Sequence, residues 1–226
     1  MEGNCEFRVD DLKIARLYQE IKKIVIIAGY KSEIDWQSGI KLSDISEEHF
    51  VRELAWVIVS SGLNEKVARK VFNRISPEFY HWKSIERIIS NRSEKFQTAI
   101  KIFGNKNKIM AIIESIELVN QIGFEQIKEK LSNDPFETLM MFPYIGPITS
   151  YHLAKNIGLD IAKPDRHMTR IANLFGFSDV QNLCESISRF SGDCISVIDI
   201  VLWRFATLEN NYLEILRYEL NNMTNF

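Results

Sequence analysis

The chain of 226 residues holds little cysteine, little proline and no long apolar run. Its three cysteines, Cys5, Cys184 and Cys194, are odd in number and show no C-x-x-C spacing. That argues against a disulfide frame and for reduced thiols packed in the core. Five prolines and ten glycines are too few for a collagen-like or low-complexity chain. No apolar stretch approaches the roughly 18 residues of a membrane span, so no membrane is expected. The opening Met1-Glu2-Gly3-Asn4-Cys5-Glu6 has neither a basic start nor an apolar stretch and does not read as a secretory signal. The expectation is a soluble, cytoplasmic protein, associated with the nucleoid if the source is prokaryotic. A net charge of −2 singles out no partner.

What is present is ordinary globular composition, 46% hydrophobic and 26% charged, enough for one large or two small domains. The charge is unevenly spread. Residues 1–65 carry 8 basic and 12 acidic side chains, whereas residues 66–108 carry 11 basic and 3 acidic. A basic middle between acidic flanks is either a footprint for nucleic acid or a set of solvated helix faces. Apolar positions recur with a period near 3.6 almost everywhere, as at Leu12, Ala15, Ile21, Val25 and Ala28. The spacing predicts helices over 10–29, 46–61 and 64–75, then 84–91, 94–103, 107–121, 123–132 and 134–141. It predicts further helices over 147–156, 165–175, 179–190, 193–208 and 209–221. Residues 30–45, with Ser38, Gly39 and Ser43, read as a connector. The fold class is all-α.

One stretch stands apart: Phe142-Pro143-Tyr144-Ile145-Gly146-Pro147-Ile148-Thr149-Ser150. A short Pro/Gly turn joins two amphipathic helices, which is a helix–hairpin–helix over about 134–156. Gly146 admits an unusual backbone angle or a close approach, and Pro147 suits the first position of the second helix. The unpaired amides of that helix start can hold a phosphate. The plainer alternative is a turn between packed helices. Beyond it comes Lys163-Pro164-Asp165-Arg166-His167-Met168-Thr169-Arg170.

The two pieces together resemble the helix-hairpin-helix-GPD superfamily of DNA glycosylases, which includes endonuclease III, the adenine-mismatch glycosylase and the alkyladenine glycosylases. The family pattern is Leu-Pro-Gly-Val/Ile-Gly-x-x-Thr-Ala, a Gly/Pro-rich loop, then an Asp opening the next helix. Here it is met by Pro143, Ile145, Gly146, Thr149 and Ser150, then Gly158, Pro164 and Asp165. The match is sharp over residues 142–176 and looser elsewhere. It implies a two-lobe helical fold. Residues 46–160 would form the inner bundle, and residues 1–45 with 161–226 the second lobe, which carries the Asp. It also implies a partner, double-stranded DNA with a damaged base, bound by a monomer. The base would be rotated out of the duplex into a pocket.

Under that resemblance Asp165 is the catalytic carboxylate, stabilising the sugar cation and orienting water as the N-glycosidic bond breaks. The alternative, not exclusive of it, is a helix N-cap accepting from the Met168 amide. The hairpin would hold a phosphate through the amides of Gly146 and Ile148, with Tyr144 and Thr149 in the same turn. No cofactor is implied beyond a monovalent cation, K+ or Na+, on the hairpin carbonyls. Arg166, Arg170 and Lys155 are candidate phosphate partners. Leu63, Asn64, Trp203 and His152 are candidates for the base pocket or wedge, and Trp36, Trp56, Trp82, Phe205 and Tyr151 are further aromatic choices.

Departures from the family sharpen the expectation. Members that also cut the strand carry a nucleophilic Lys where this chain has Ile148. The resemblance therefore implies a monofunctional glycosylase without lyase activity, unless Lys155 or Lys163 substitutes. Cys184 and Cys194 are too few for the iron–sulfur cluster of endonuclease III. The scattered cysteines and His49, His81, His152 and His167 offer no zinc spacing, so no metal is expected. Tyr144 takes the place of the first hairpin Gly, where a bulky residue calls for a negative φ. Gly62 falls where many members place a Gln plug, leaving Leu63 or Asn64 as wedge, with an N-cap the other reading of Asn64. Which lesion is the substrate is not legible. The rivals are a non-catalytic helix-hairpin-helix DNA-binding protein and a helical protein-interaction scaffold.

Overall fold

The computed structural model describes residues 9–223, which form helices joined by turns and irregular loops, without a strand among them. Cys5 lies outside the described residues. The chain divides into two compact units, Met1–Gly39 with Asp160–Phe226, and Ile40–Leu159.

The first unit contains α1 (Val9–Val25), α2 (Lys31–Gly39), α11 (Arg166–Leu174), α12 (Val180–Ser191), α13 (Ile195–Leu208) and α14 (Tyr212–Asn222). Its core gathers Ile14, Tyr18, Ile21, Met168, Ile187 and Leu202, the inward stripes of these helices. Cys184 is a buried thiol in this core, but Cys194 is only half-buried, at the N-cap of α13, its Sγ 3.6 Å from the Ser196 hydroxyl. Asp193 ties α1 to the α12–α13 turn, accepting from Tyr18 Oη at 2.6 Å and pairing with Lys22 at 2.7 Å.

Residues 31–39, expected as connector, are helical. Two forces override the weak local pattern. Ile34 and Gln37 are buried, and Glu33 receives the Arg204 guanidinium of α13, Nη2 donating to Oε1 at 2.9 Å and Nε to Oε2 at 3.1 Å. A bidentate pair of this kind fixes direction as well as distance. The long helix expected over 10–29 stops being regular at Val25. A wider turn at Ile26–Tyr30 follows, with Gly29 at φ +95°.

The second unit contains α3 (Glu47–Ser60), α4 (Glu65–Ile75), α5 (Ile85–Ser90), α6 (Arg92–Ile102), α7 (Lys106–Ile122), α8 (Phe124–Asn133), α9 (Pro135–Met140) and α10 (Pro147–Asn156). Phe72 and Phe79 stack on Trp82 at 5.4 and 5.0 Å, and Phe50 meets Phe142 edge-on at 5.6 Å. Burying such rings stabilises by roughly 1.5–3 kcal/mol each. The boundary falls after Gly39 because residues 41–42 belong with the end of α10. A Cβ on Gly158, at φ +89°, would lie 2.5 Å from the Lys41 carbonyl carbon. Segment Ser76–Trp82 carries three successive left-handed residues, Tyr80, His81 and Trp82, at φ 51°, 53° and 69°. Arg87 and Lys95 lie over the Tyr80 ring at 4.0 and 4.2 Å.

Candidate functional site

Asp165 opens α11, and one of its oxygens is fully committed. Oδ1 accepts the amides of His167 at 2.9 Å and Met168 at 3.1 Å, two of the donors that a helix start leaves unpaired. Oδ2 makes no hydrogen bond among the described residues, and the side chain is only partly buried. The result is a carboxylate with one oxygen clamped by two amides and the other outside the cap.

The loop before it is pinned at three points. Asp160 Oδ1 accepts from Ser196 N at 2.9 Å, Ala162 N donates to Gln181 Oε1 at 3.1 Å, and Lys163 N donates to Asp199 Oδ1 at 2.8 Å. Asp199 is buried on α13 and was not among the expected residues. Its signal was weak: one acid within an otherwise apolar helix. His167 was also missed. Arg166 Nε donates to its Nε2 at 3.3 Å, and its Nδ1 lies 3.2 Å from the Tyr212 hydroxyl. Burial holds its pKa below the usual histidine value, against the pull of Asp165. Arg166 and Arg170 are exposed, and Lys163 is half-buried.

The turn between α9 and α10 is built by anchors and a cap. Phe142 and Ile145 are buried, while Tyr144 between them is 43% exposed. Tyr144 does not take the negative φ expected of it: it stands at +66°, the left-handed region, so the turn keeps a glycine-like backbone without glycine. Gly146 is extended, with φ −109° and ψ −171°, and a Cβ there would meet nothing within 4 Å. Neither an unusual angle nor a protein neighbour requires glycine at 146.

The Gly146 amide, expected to be a phosphate donor, is already used: it donates to Thr149 Oγ1 at 2.7 Å. The Ile148 and Thr149 amides, in the first turn of α10, make no hydrogen bond among the described residues. The exposed Ile148 side chain stands beside them. Lys155, on the same helix, is buried and so is not presented to a phosphate at the surface. Phe142 O accepts from Ile145 N and Tyr144 O from the Thr149 hydroxyl, which leaves each a second lone pair. No group of three His, Cys, Asp or Glu side chains among the described residues is placed to hold a metal.

The aromatic candidates fall into two sets. Trp82 and Phe205 are core residues. Trp56 meets Phe72 edge-on at 5.4 Å, Tyr151 packs on Phe136 at 4.3 Å, and Trp203 lies half-buried against the core of the first unit. Trp36 is exposed and His152 half-buried. Leu63 is half-buried, and Asn64 caps α4 by accepting from Lys66 N at 3.0 Å. Gly62, at φ +71°, shapes the turn before it. Buried Lys108 holds that turn from below, donating to the carbonyls of Val59 and Ser61.

Comparisons with protein-family models, with curated proteins and with solved structures find no match. No helix among the described residues is long and apolar enough to cross a membrane.

Proposed function

We propose that this protein is a monofunctional DNA glycosylase of the helix-hairpin-helix type, which hydrolyses the N-glycosidic bond of a damaged or mismatched base. The observation that carries the reading is Asp165, clamped through Oδ1 and open at Oδ2, at the helix start that follows the hairpin and its pinned loop. In the reaction the C1′–N bond breaks and its electron pair leaves with the base. The Asp165 carboxylate stabilises the positive charge on the sugar. A water oxygen bonds to C1′, and the proton it sheds passes to Oδ2.

Two further features support the reading. The Ile148 and Thr149 amides offer a phosphate the paired donors of a helix start. Ile148 stands where a strand-cutting enzyme needs an amine, which leaves water as the nucleophile. Phosphate contacts position the duplex without reading its sequence. The hairpin carbonyls would hold a monovalent cation beside that phosphate.

The test is base release from duplexes that each carry one oxidised, alkylated, deaminated or mismatched base. Alkali-revealed abasic sites without direct strand cutting are the expected result. Tight, salt-sensitive duplex binding without release from any substrate would favour the non-catalytic DNA-binding alternative.

A further inference from the structure

Helix α4 is divided sharply by face. Ala68, Phe72 and Ile75 are buried, and on the opposite side Lys66, Lys70, Asn73 and Arg74 are exposed. Lys66, Lys70 and Arg74 recur at i, i+4 and i+8, which places them within about 80° of arc and about 6 Å apart along the axis. Their side chains make no ion pair or hydrogen bond among the described residues. Arg69, at the edge of that face, instead pairs with Glu65 at 2.7 Å and lies 5.6 Å from the Trp56 ring centre.

Like charges at i, i+4 oppose the helix that carries them. No acid stands on this face to relieve them. The acids in the same basic stretch, Glu78, Glu86 and Glu94, lie on other elements, and Glu94 is taken by Lys95 at 3.4 Å. The stripe therefore leaves repulsion that a polyanion would remove.

We propose that Lys66, Lys70 and Arg74 form a track for the sugar–phosphate backbone of a DNA duplex, a contact surface additional to the hairpin. The proposal rests on the DNA reading above. A straight row of cations suits a partner with one charge per about 1.7 Å of axis, whose condensed counterions are released on contact. Helix α4 also begins directly after the Gly62–Asn64 turn, so backbone contacts along it would hold a strand beside that turn.

The experiment compares K66Q/K70Q/R74Q with a control, R16Q/K130Q/R217Q, that removes the same charge from exposed positions elsewhere. Binding of a labelled undamaged duplex is followed by anisotropy between about 50 and 200 mM salt. The α4 triple variant should lower the slope of log affinity against log salt by about 2–3, at about 0.9 per phosphate contact, and the control by less than about 1. The arginine-for-lysine variant K66R/K70R should keep the wild-type slope. All three substitutions face water, so helical circular dichroism checks that the fold is intact.

Equal slopes for the two triple variants would overturn the track. So would wild-type binding to polyglutamate in preference to duplex, since the partner would then be an acidic polypeptide. Base release assayed on the same preparations separates the two ideas. Release with unaltered slopes overturns the track alone, whereas a lost slope without any base release overturns the glycosylase reading alone.

Discussion

Gly146 donates its amide to the Thr149 hydroxyl at 2.7 Å, and the same hydroxyl reaches back to the Tyr144 carbonyl at 3.2 Å. One side chain thus fastens the turn to the first turn of α10. Thr149→Val keeps the shape and removes the acceptor, leaving a partly buried amide unpaired. The expected loss is about 1–3 kcal/mol in urea unfolding, with weaker duplex binding. Thr149→Ser should restore most of both.

Tyr144 holds a left-handed backbone with its side chain partly in solvent. Gly and Ala at this position both discard the ring, so their difference reports the backbone alone. Tyr144→Gly should be more stable than Tyr144→Ala by about 1 kcal/mol in denaturant titration. The opposite order would mean that the turn relaxes to a negative φ.

Gly158 and Gly62 both have positive φ, but their surroundings differ. A Cβ at Gly158 runs into the backbone at Lys41 and Leu42, whereas one at Gly62 meets nothing within 4 Å. Gly62→Ala should cost only about 1 kcal/mol of stability. Gly158→Ala adds a backbone clash to the strain and should cost at least about 2–3 kcal/mol, read as a fall in the thermal midpoint.

Glu53 is buried on α3, where its Oε2 accepts from Asn156 Nδ2 at 2.8 Å and its Oε1 from Arg52. The His49 ring lies 3.2 Å from the Asn156 carbonyl and joins the cluster. Burial pushes the Glu53 carboxyl above the ordinary glutamate value of about 4.5, outweighing the lowering by Arg52, His49 and Asn156. A raised carboxyl pKa makes the protonated form the more stable folded one. That contribution is full below the unfolded value and is lost as pH rises through the folded value. Glu53→Gln keeps the acceptor for Asn156 and removes the charge. Its stability should match wild type near pH 4 and exceed it at neutrality. Glu53→Leu should instead lose about 1–3 kcal/mol, because Asn156 is left without its acceptor.

Much of the architecture was legible in the chain. Amphipathic stripes such as Ala68-Phe72-Ile75 announce their buried face, and Asp165 and Asn64 cap as their residue types and positions suggest. What stayed hidden depends on distant partners. Helix α2 has few apolar residues, and it is held by the burial of Ile34 and Gln37 and by Arg204, 171 positions away from Glu33. The donor role expected of Gly146 failed because a hydroxyl three residues on takes the amide. The burial of Lys155 and the clamp by Asp199 are likewise tertiary facts. The run Tyr80-His81-Trp82 is left-handed at all three residues, and only the histidine is of a type enriched in that region, so local preference does not indicate the run as a whole.

In the proposed reaction Asp165 acts through the oxygen that the cap leaves open. Single-turnover base release by Asp165→Asn, beside its thermal unfolding, tests it most directly. Asn caps a helix about as well as Asp, so the fold should survive. The expected variant is an intact protein that binds duplex DNA and releases its base at least about 100-fold more slowly than wild type, the scale on which positioned acid–base groups act. An Asp165→Asn protein that releases the base as fast as wild type would reduce Asp165 to a helix cap and rule out its part in the reaction.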